Sequence, residues 1–311
     1  MVLITGTSIG GIGLPRVSSP STLVITGYSA ERRVLVYPSI FLPLLAGRRL
    51  QRAKGEIEKE LPLANIRTLA LDLSSLVAVR TAAAEVNEYP EPIHVLINNA
   101  AAAIGPFKLT VDGLESQMAV NHVGHFLFTK LVLPKLLAAK TTTYTPRVVT
   151  VASAAHTFCD GVDLDAIAHP RADTYETGRA YYRTKCANIL MTLELSRRAS
   201  GAVRTYSLNP GAIYTNMMLR EESREYMQSL GIVDASGTPI ENKHVFKTIP
   251  QGAATTVVAA FDPRLEDKPG AYLSDSVEAN AAVAPHSSDP VTAAKLWALT
   301  EKLVGEPFVF P

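Results

Sequence analysis

Arg179-Ala180-Tyr181-Tyr182-Arg183-Thr184-Lys185-Cys186-Ala187-Asn188-Ile189-Leu190 lies between two short runs, Arg147 to Ala152 and Val203 to Leu208. The runs on either side are short and largely apolar, and they read as buried strands. The stretch between them, within Arg179 to Leu193, reads as a helix. Strand, helix, strand in this order is a crossover between parallel strands. On the helix, Tyr181 and Lys185 are four positions apart, so they share a face and their side chains can meet. A phenol has an ordinary pKa of about 10, which makes it a poor acid or base near neutrality. A fixed ammonium beside it favours the phenolate and lowers that value. Alone, Tyr-x-x-x-Lys also describes an exposed pair on a solvated face, so the surrounding chain has to decide its meaning.

The same alternation continues outward in both directions. Leu50 to Leu61 reads as a helix. Ile66 to Leu71 is a buried strand ending at Asp72-Leu73, and Ser74, with Ser75 behind it, can cap a helix running to Glu88. Ile93 to Ile97 is a strand with Asn98-Asn99-Ala100-Ala101 at its end. Leu114 to Met118 and Val120 to Ala139 are helical. A loop covers Asp160 to Thr177. Beyond Asn209-Pro210-Gly211, residues 212–250 are polar and irregular, with Met217, Met218, Tyr226 and Met227 among charges, which suits a cover over a substrate pocket. Gln251 to Phe261 is a helix, Gly270 to Leu273 a last strand, and Asp289 to Val304 a closing helix. The expected fold is α/β, a doubly wound parallel sheet of Rossmann type in a single domain spanning residues 1–311. Ligands then bind at the carboxyl ends of the strands.

The chain has 311 residues, with 30 Lys and Arg against 29 Asp and Glu, for a net charge of +1. That balance sets up no long-range field for nucleic acid or an anionic membrane. Phe41 to Ala46 is apolar but short and broken by Pro43, so no membrane span is expected. No charged segment precedes the first apolar residues, so no secretory leader is expected. Cys159 and Cys186 show no metal spacing and no disulfide framework; a reducing, cytoplasmic setting fits them. Both read as packing residues.

Val2-Leu3-Ile4-Thr5-Gly6 reads as a short strand entering a turn, followed by Thr7-Ser8-Ile9-Gly10-Gly11-Ile12-Gly13. Such a turn lets the backbone approach a pyrophosphate, which a helix amino terminus then receives. Here the next residues break the pattern. Leu14 to Leu45 holds prolines at 15, 20, 38 and 43 instead of a helix signal. Residues 14–45 therefore read as an atypical inserted segment, part of it an inserted or mistranslated piece. Val34 to Tyr37 and Phe41 to Ala46 compete for the second strand. The latter would bring Arg48 and Arg49 to the strand end, where a cofactor ribose is met.

Together these residues resemble the short-chain dehydrogenase/reductase family, and within it the retinol-dehydrogenase-like reductases. The likeness rests on Asn98-Asn99-Ala100-Ala101, Asn121-His122-Val123-Gly124-His125-Phe126, Val148 to His156 around Ser153, and Tyr181-x-x-x-Lys185 with Ala187 to Leu190. Pro210-Gly211 with Thr215, and Lys295-Leu296-Trp297, complete it. The resemblance implies an oxidoreductase that moves a hydride between a nicotinamide and a carbonyl or alcohol. Tyr181 would be the general acid or base, Lys185 its pKa partner and ribose anchor, Ser153 the group that steadies the substrate oxygen, and Asn121 the holder of a relay water. Gly6, Gly11, Ile12, Gly13, Arg48, Asp72, Leu73, Asn98 and Thr215, with Tyr181 and Lys185, would bind the cofactor. Arg48, with no acid at that strand end, favours NADP, with NAD the alternative. The partner would be a small, lipophilic carbonyl or alcohol, and members of the family often form homo-oligomers. His122, His125 and His156 are expected to pack and hydrogen-bond rather than to ligate metal, and no metal is expected.

The glycine loop holds one residue more than the family's Thr-Gly-x-x-x-Gly-x-Gly. Without a helix amino terminus behind it, a pyrophosphate loses oriented donors. The competing reading is thus a non-catalytic or cofactor-impaired relative acting as a binding protein.

Overall fold

A computed structural model describes residues 1–5, 33–36, 54–102, 104–214, 221–240 and 246–310. Its centre is an eight-stranded sheet with strands in the order β3-β2-β1-β4-β5-β6-β7-β8. The strands are β1 (Val2–Ile4), β2 (Arg33–Val36), β3 (Asn65–Thr68), β4 (Val95–Asn98), β5 (Arg147–Val151), β6 (Arg204–Asn209), β7 (Tyr272–Ser274) and β8 (Val277–Glu278). All pair in parallel except β8, which runs antiparallel to β7. The order reverses between β1 and β4, and that switch point opens a crevice at the carboxyl ends of the strands.

Alternation along the strands divides the core in two. Leu3, Leu96 and Val148 face one side, where helices α2 (Leu76–Glu88), α4 (Gly124–Leu137), α5 (Leu164–Ala168), α6 (Thr177–Ala199) and α9 (Pro290–Val304) pack. Val2, Val95, Ile97, Val149 and Val151 face the other, under α8 (Ile249–Phe261) and near α1 (residues 54–60). Trp297 of α9 meets Phe126 of α4 edge-on at 4.7 Å and lies under the Arg198 guanidinium of α6 at 4.8 Å. One indole therefore joins three helices.

Several boundaries differ from those read in the sequence. The second strand is the earlier candidate, Arg33–Val36, and it pairs with both β1 and β3. Part of the 14–45 segment is thus integral to the sheet; the rest lies outside the described residues. The cap of α2 is Ser75, whose hydroxyl accepts from the Ala78 amide. Ser74 instead donates its amide and hydroxyl to Asp72. The two helices expected over 114–139 form one continuous rod. Within it, α3 (Ser116–Met118) leads through a π turn, Ala119–Val123, into α4. β8 was not anticipated. Its hairpin turns on Asp275 and Ser276 at φ 51° and 67°, a primed turn made without the usual glycine.

Gly124 shows why a glycine opens α4. A Cβ there would lie 2.5 Å from the Leu73 carbonyl oxygen. The loop after β3 could not then pack on this helix.

Candidate active site

The carboxyl ends of β1, β4 and β5 gather the side chains that the sequence singled out. At the end of β1, the Thr5 hydroxyl accepts the amides of Asn99 and Ala100, both at 2.9 Å, and contacts His125 Nε2 at 2.9 Å. His125 Nδ1 is 3.2 Å from the Asn121 carbonyl, which can only accept. Nδ1 therefore carries the ring proton, and Nε2 accepts from Thr5. Thr5 pins the end of β4 to the end of β1, a role that no motif in the sequence announced. Asn98 is buried and donates to Thr129 Oγ1 at 2.9 Å, so it braces β4 against α4.

Asn121 sits in the π turn, a helix irregularity frequent at functional positions. Its amide donates to Thr184 Oγ1 at 3.0 Å and its Oδ1 accepts from the Ala102 amide at 2.7 Å. The side chain thus ties the end of β4 to α6, one residue from Lys185.

Ser153 follows β5. Its hydroxyl accepts from the Ala155 amide at 3.1 Å, and the Tyr181 phenol lies beside it. Its carbonyl holds the buried His156 through Nδ1 at 2.7 Å. Lys185 is only 2 % exposed; its Nζ donates to the Val151 carbonyl at 3.1 Å and lies 5.4 Å from the centre of the Tyr181 ring. Ser153, Tyr181, Lys185 and Asn121 are therefore brought together around the end of β5.

The electrostatics correct one expectation. Burial pushes the Tyr181 phenol up to about 12, opposed by the neighbouring Ser153 side chain. Burial also holds the Lys185 ammonium down to about 8. Desolvation, not the lysine, dominates the phenol: the ammonium is turned to the Val151 carbonyl and to the ring face.

The residues present fit a nicotinamide coenzyme. A buried ammonium carries three donors, yet a single carbonyl takes one of them here, which leaves donors for ribose hydroxyls. Asp72 is bound to Ser74 and Leu73 is buried beneath Gly124, so both shape the loop after β3. Gly6, Gly11, Ile12, Gly13, Arg48 and Thr215 lie outside the described residues. Arg48 follows the end of β2 by twelve positions rather than standing at it, so the strand-end premise for Arg48 does not hold.

Over Tyr181 lies part of the 212–250 segment. It is less irregular than its composition suggested, since it contains helix α7 (Glu221–Ser229). Met227 and Val233 pack with Ile104, against the rings of Tyr181, Tyr214 and Tyr226. The Tyr226 hydroxyl meets that of Tyr182 at 2.6 Å, and the Tyr226 ring occupies the space that a Gly178 Cβ would need. His122, His125 and His156 are all buried and hydrogen-bonded.

A parallel switch-point crevice lined by Ser, Tyr and Lys defines a dinucleotide-dependent oxidoreductase. Comparison with known proteins agrees. The short chain dehydrogenase family profile matches residues 40–159. The short-chain dehydrogenase/reductase prx1 of Penicillium rubens is 35% identical over 97% of this chain and 84% of its own length. Human retinol dehydrogenase 12 is 32% identical over 82% of this chain and 75% of its own. Among solved structures, an uncharacterised protein from Mycobacterium paratuberculosis aligns with TM-score 0.64 at 27% identity, over 99% of this chain and 94% of that one. The NADPH-bound carbonyl reductase from chicken fatty liver shares the fold, with TM-score 0.57 at 20% identity over 88% and 95%. The chain belongs to the short-chain dehydrogenase/reductase family, on its retinol-dehydrogenase-like side.

Proposed function

We propose that this protein is an NADPH-dependent reductase of lipophilic carbonyl compounds that also runs the reverse alcohol oxidation. The observation that carries the reading is the Tyr181 phenol set beside Ser153 and above a buried Lys185. A bound nicotinamide supplies the hydride. The chain does the rest. In reduction, Tyr181 gives its phenolic proton to the substrate oxygen while the Ser153 hydroxyl donates to the same oxygen and steadies its growing negative charge. Lys185 holds ribose hydroxyls and offsets the phenolate left on Tyr181. The π turn at Asn121 supplies the return path for a proton to Lys185.

NADP is favoured over NAD by sequence after β2. From Tyr37 to Gly55 there is no Asp or Glu, while Arg48, Arg49, Arg52 and Lys54 are present. An acid there would hold a free ribose hydroxyl; cations accommodate its phosphate. The carbonyl reductase that shares this fold holds NADPH. The apolar roof of Ile104, Met227 and Val233 suits a lipophilic substrate, and residues 212–250 are its cover. Two free thiols fit a reducing cytoplasm.

Titration with NADPH and NADH, followed by NADPH consumption over a panel of aliphatic and aromatic aldehydes and ketones, tests the reading. Tight NADPH binding with turnover of the larger apolar members is the expected result. A folded protein that binds neither coenzyme would replace it with the binding-protein reading.

A further inference from the structure

Three side chains outside the proposed proton exchange meet one another. Cys159 closes the turn Ala154–Phe158 that follows Ser153, Cys186 lies in α6 beside Lys185, and His286 lies in the turn Pro285–Ser287 before α9. Their ligand atoms, two sulfurs and an imidazole nitrogen, all lie within 4.8 Å of one another. They are far apart in sequence, so no spacing motif announces them; the fold assembles the set. Plain packing does not account for it, because packing alone gives no reason for three donor atoms to converge.

We propose that Cys159, Cys186 and His286 form a binding site for one zinc-class divalent cation, with water as fourth ligand. Two thiolates and one imidazole are a borderline-soft set that suits Zn²⁺ in tetrahedral geometry. One imidazole nitrogen is already committed, which leaves the other to ligate. His286 Nε2 lies 2.9 Å from the His156 carbonyl, which can only accept, so Nε2 carries the proton and the lone pair is on Nδ1. An outer hydrogen bond of this kind fixes the tautomer of metal-bound histidines. His156 is itself held, by Nδ1 to the Ser153 carbonyl and by Nε2 accepting the Ala284 amide at 3.3 Å.

Charge favours the same occupant. Two thiolates with a dication sum to zero, which suits the buried Cys186. The thiols give up weak sulfur contacts on binding, among them Cys159 Sγ to the His156 carbonyl at 3.4 Å and Cys186 Sγ to the His286 carbonyl at 3.8 Å. Binding breaks two S–H bonds, forms two metal–sulfur bonds and releases two protons to solvent, with no change of oxidation state. The cation would join the Ser153 turn, the catalytic helix and the segment before α9, and so hold Ser153 relative to Tyr181.

The test uses the full-length protein, reduced and stripped of metal, titrated with Co²⁺ and then Zn²⁺. The expected result is a thiolate-to-cobalt charge-transfer band that saturates at a single equivalent and is bleached by Zn²⁺. The band should weaken in Cys159→Ser, and Co²⁺ affinity should fall about tenfold or more in His286→Asn, as for loss of a coordinating or supporting group. Zn²⁺ should also raise the unfolding temperature of the wild type. Absence of the band from a folded, reduced wild-type protein would overturn the proposal. So would a band of unchanged strength in Cys159→Ser together with unchanged affinity in His286→Asn.

Discussion

The Thr5 hydroxyl gives one proton to His125 and receives two backbone amides, at 2.9 Å in each case. Removing it leaves buried groups without partners, each costing about 1–3 kcal/mol. Thr5→Val is therefore expected to lower unfolding stability by about 2 kcal/mol or more in urea titration, and Thr5→Ser to retain most of it. Equal stability of Thr5→Val and wild type would show that the hydroxyl holds nothing. At Tyr181 and Lys185 the expectation concerns rate. The phenol, pushed up to about 12, keeps its proton through neutrality and is ready as an acid. Lys185, held down to about 8, is charged below that value and neutral above it. For reduction, kcat/KM should be level from pH 6 to 7.5 and fall as the pH passes about 8, whereas alcohol oxidation, which needs the phenolate, should rise. A reduction profile that climbs through pH 8 would contradict this assignment.

At the scale of elements, the crossover from β5 through α6 to β6 was legible because period, length and apolar runs agreed. The same holds for α9, whose Asp289 cap and Pro290 opening stand in plain sequence. Other features were illegible for physical reasons. The β7–β8 turn uses Asp275-Ser276 where a reader looks for glycine. Helix α7 hides among charges because its described inward residues, Ser223, Tyr226 and Met227, include just two large apolar side chains, and these meet residues that the fold alone brings near. The depression of the Tyr181 pKa followed from a pair in isolation and could not include the burial that outweighs it. Of the side chains gathered here, Ser153, Tyr181, Lys185 and Asn121 were readable as motif positions; Thr5 stood in the glycine motif, but its role was not readable, since its partners lie more than ninety residues away. The contact between α6 and α7 yields its own expectation. Gly178→Ala would drive the Tyr226 ring out of its seat and break its contact with Tyr182. KM for large apolar substrates should rise severalfold with kcat for small aldehydes little changed. Identical KM values would remove α7 from the substrate cover. Gly124→Ala belongs to the same scale: its Cβ meets backbone, which cannot swing aside, so a loss of about 1–3 kcal/mol is expected by thermal unfolding.

Burial keeps His122 and His125 neutral in the folded molecule. Burial draws His122 down to about 3 and His125 down to about 4, against an ordinary value of 6.5. Their folded values lie below their unfolded ones, so the unfolded chain takes up protons first as the pH falls. The stability they permit is complete above about 6.5 and is lost on acidification through the window down to about 4 for His125 and about 3 for His122. Each can remove up to about 1.4 kcal/mol per pH unit. Urea midpoints measured at pH 7, 6 and 5 should fall in that order; a constant midpoint would mean that these rings are not held as described. The proposed reaction rests on one phenol, Tyr181. The most direct measurement is the turnover of Tyr181→Phe on a substrate of the wild type, with NADPH affinity determined for both. Turnover reduced by about 10²–10⁴-fold at unchanged coenzyme affinity is the expected result. A variant that reduces the same carbonyl at the wild-type rate would contradict the account.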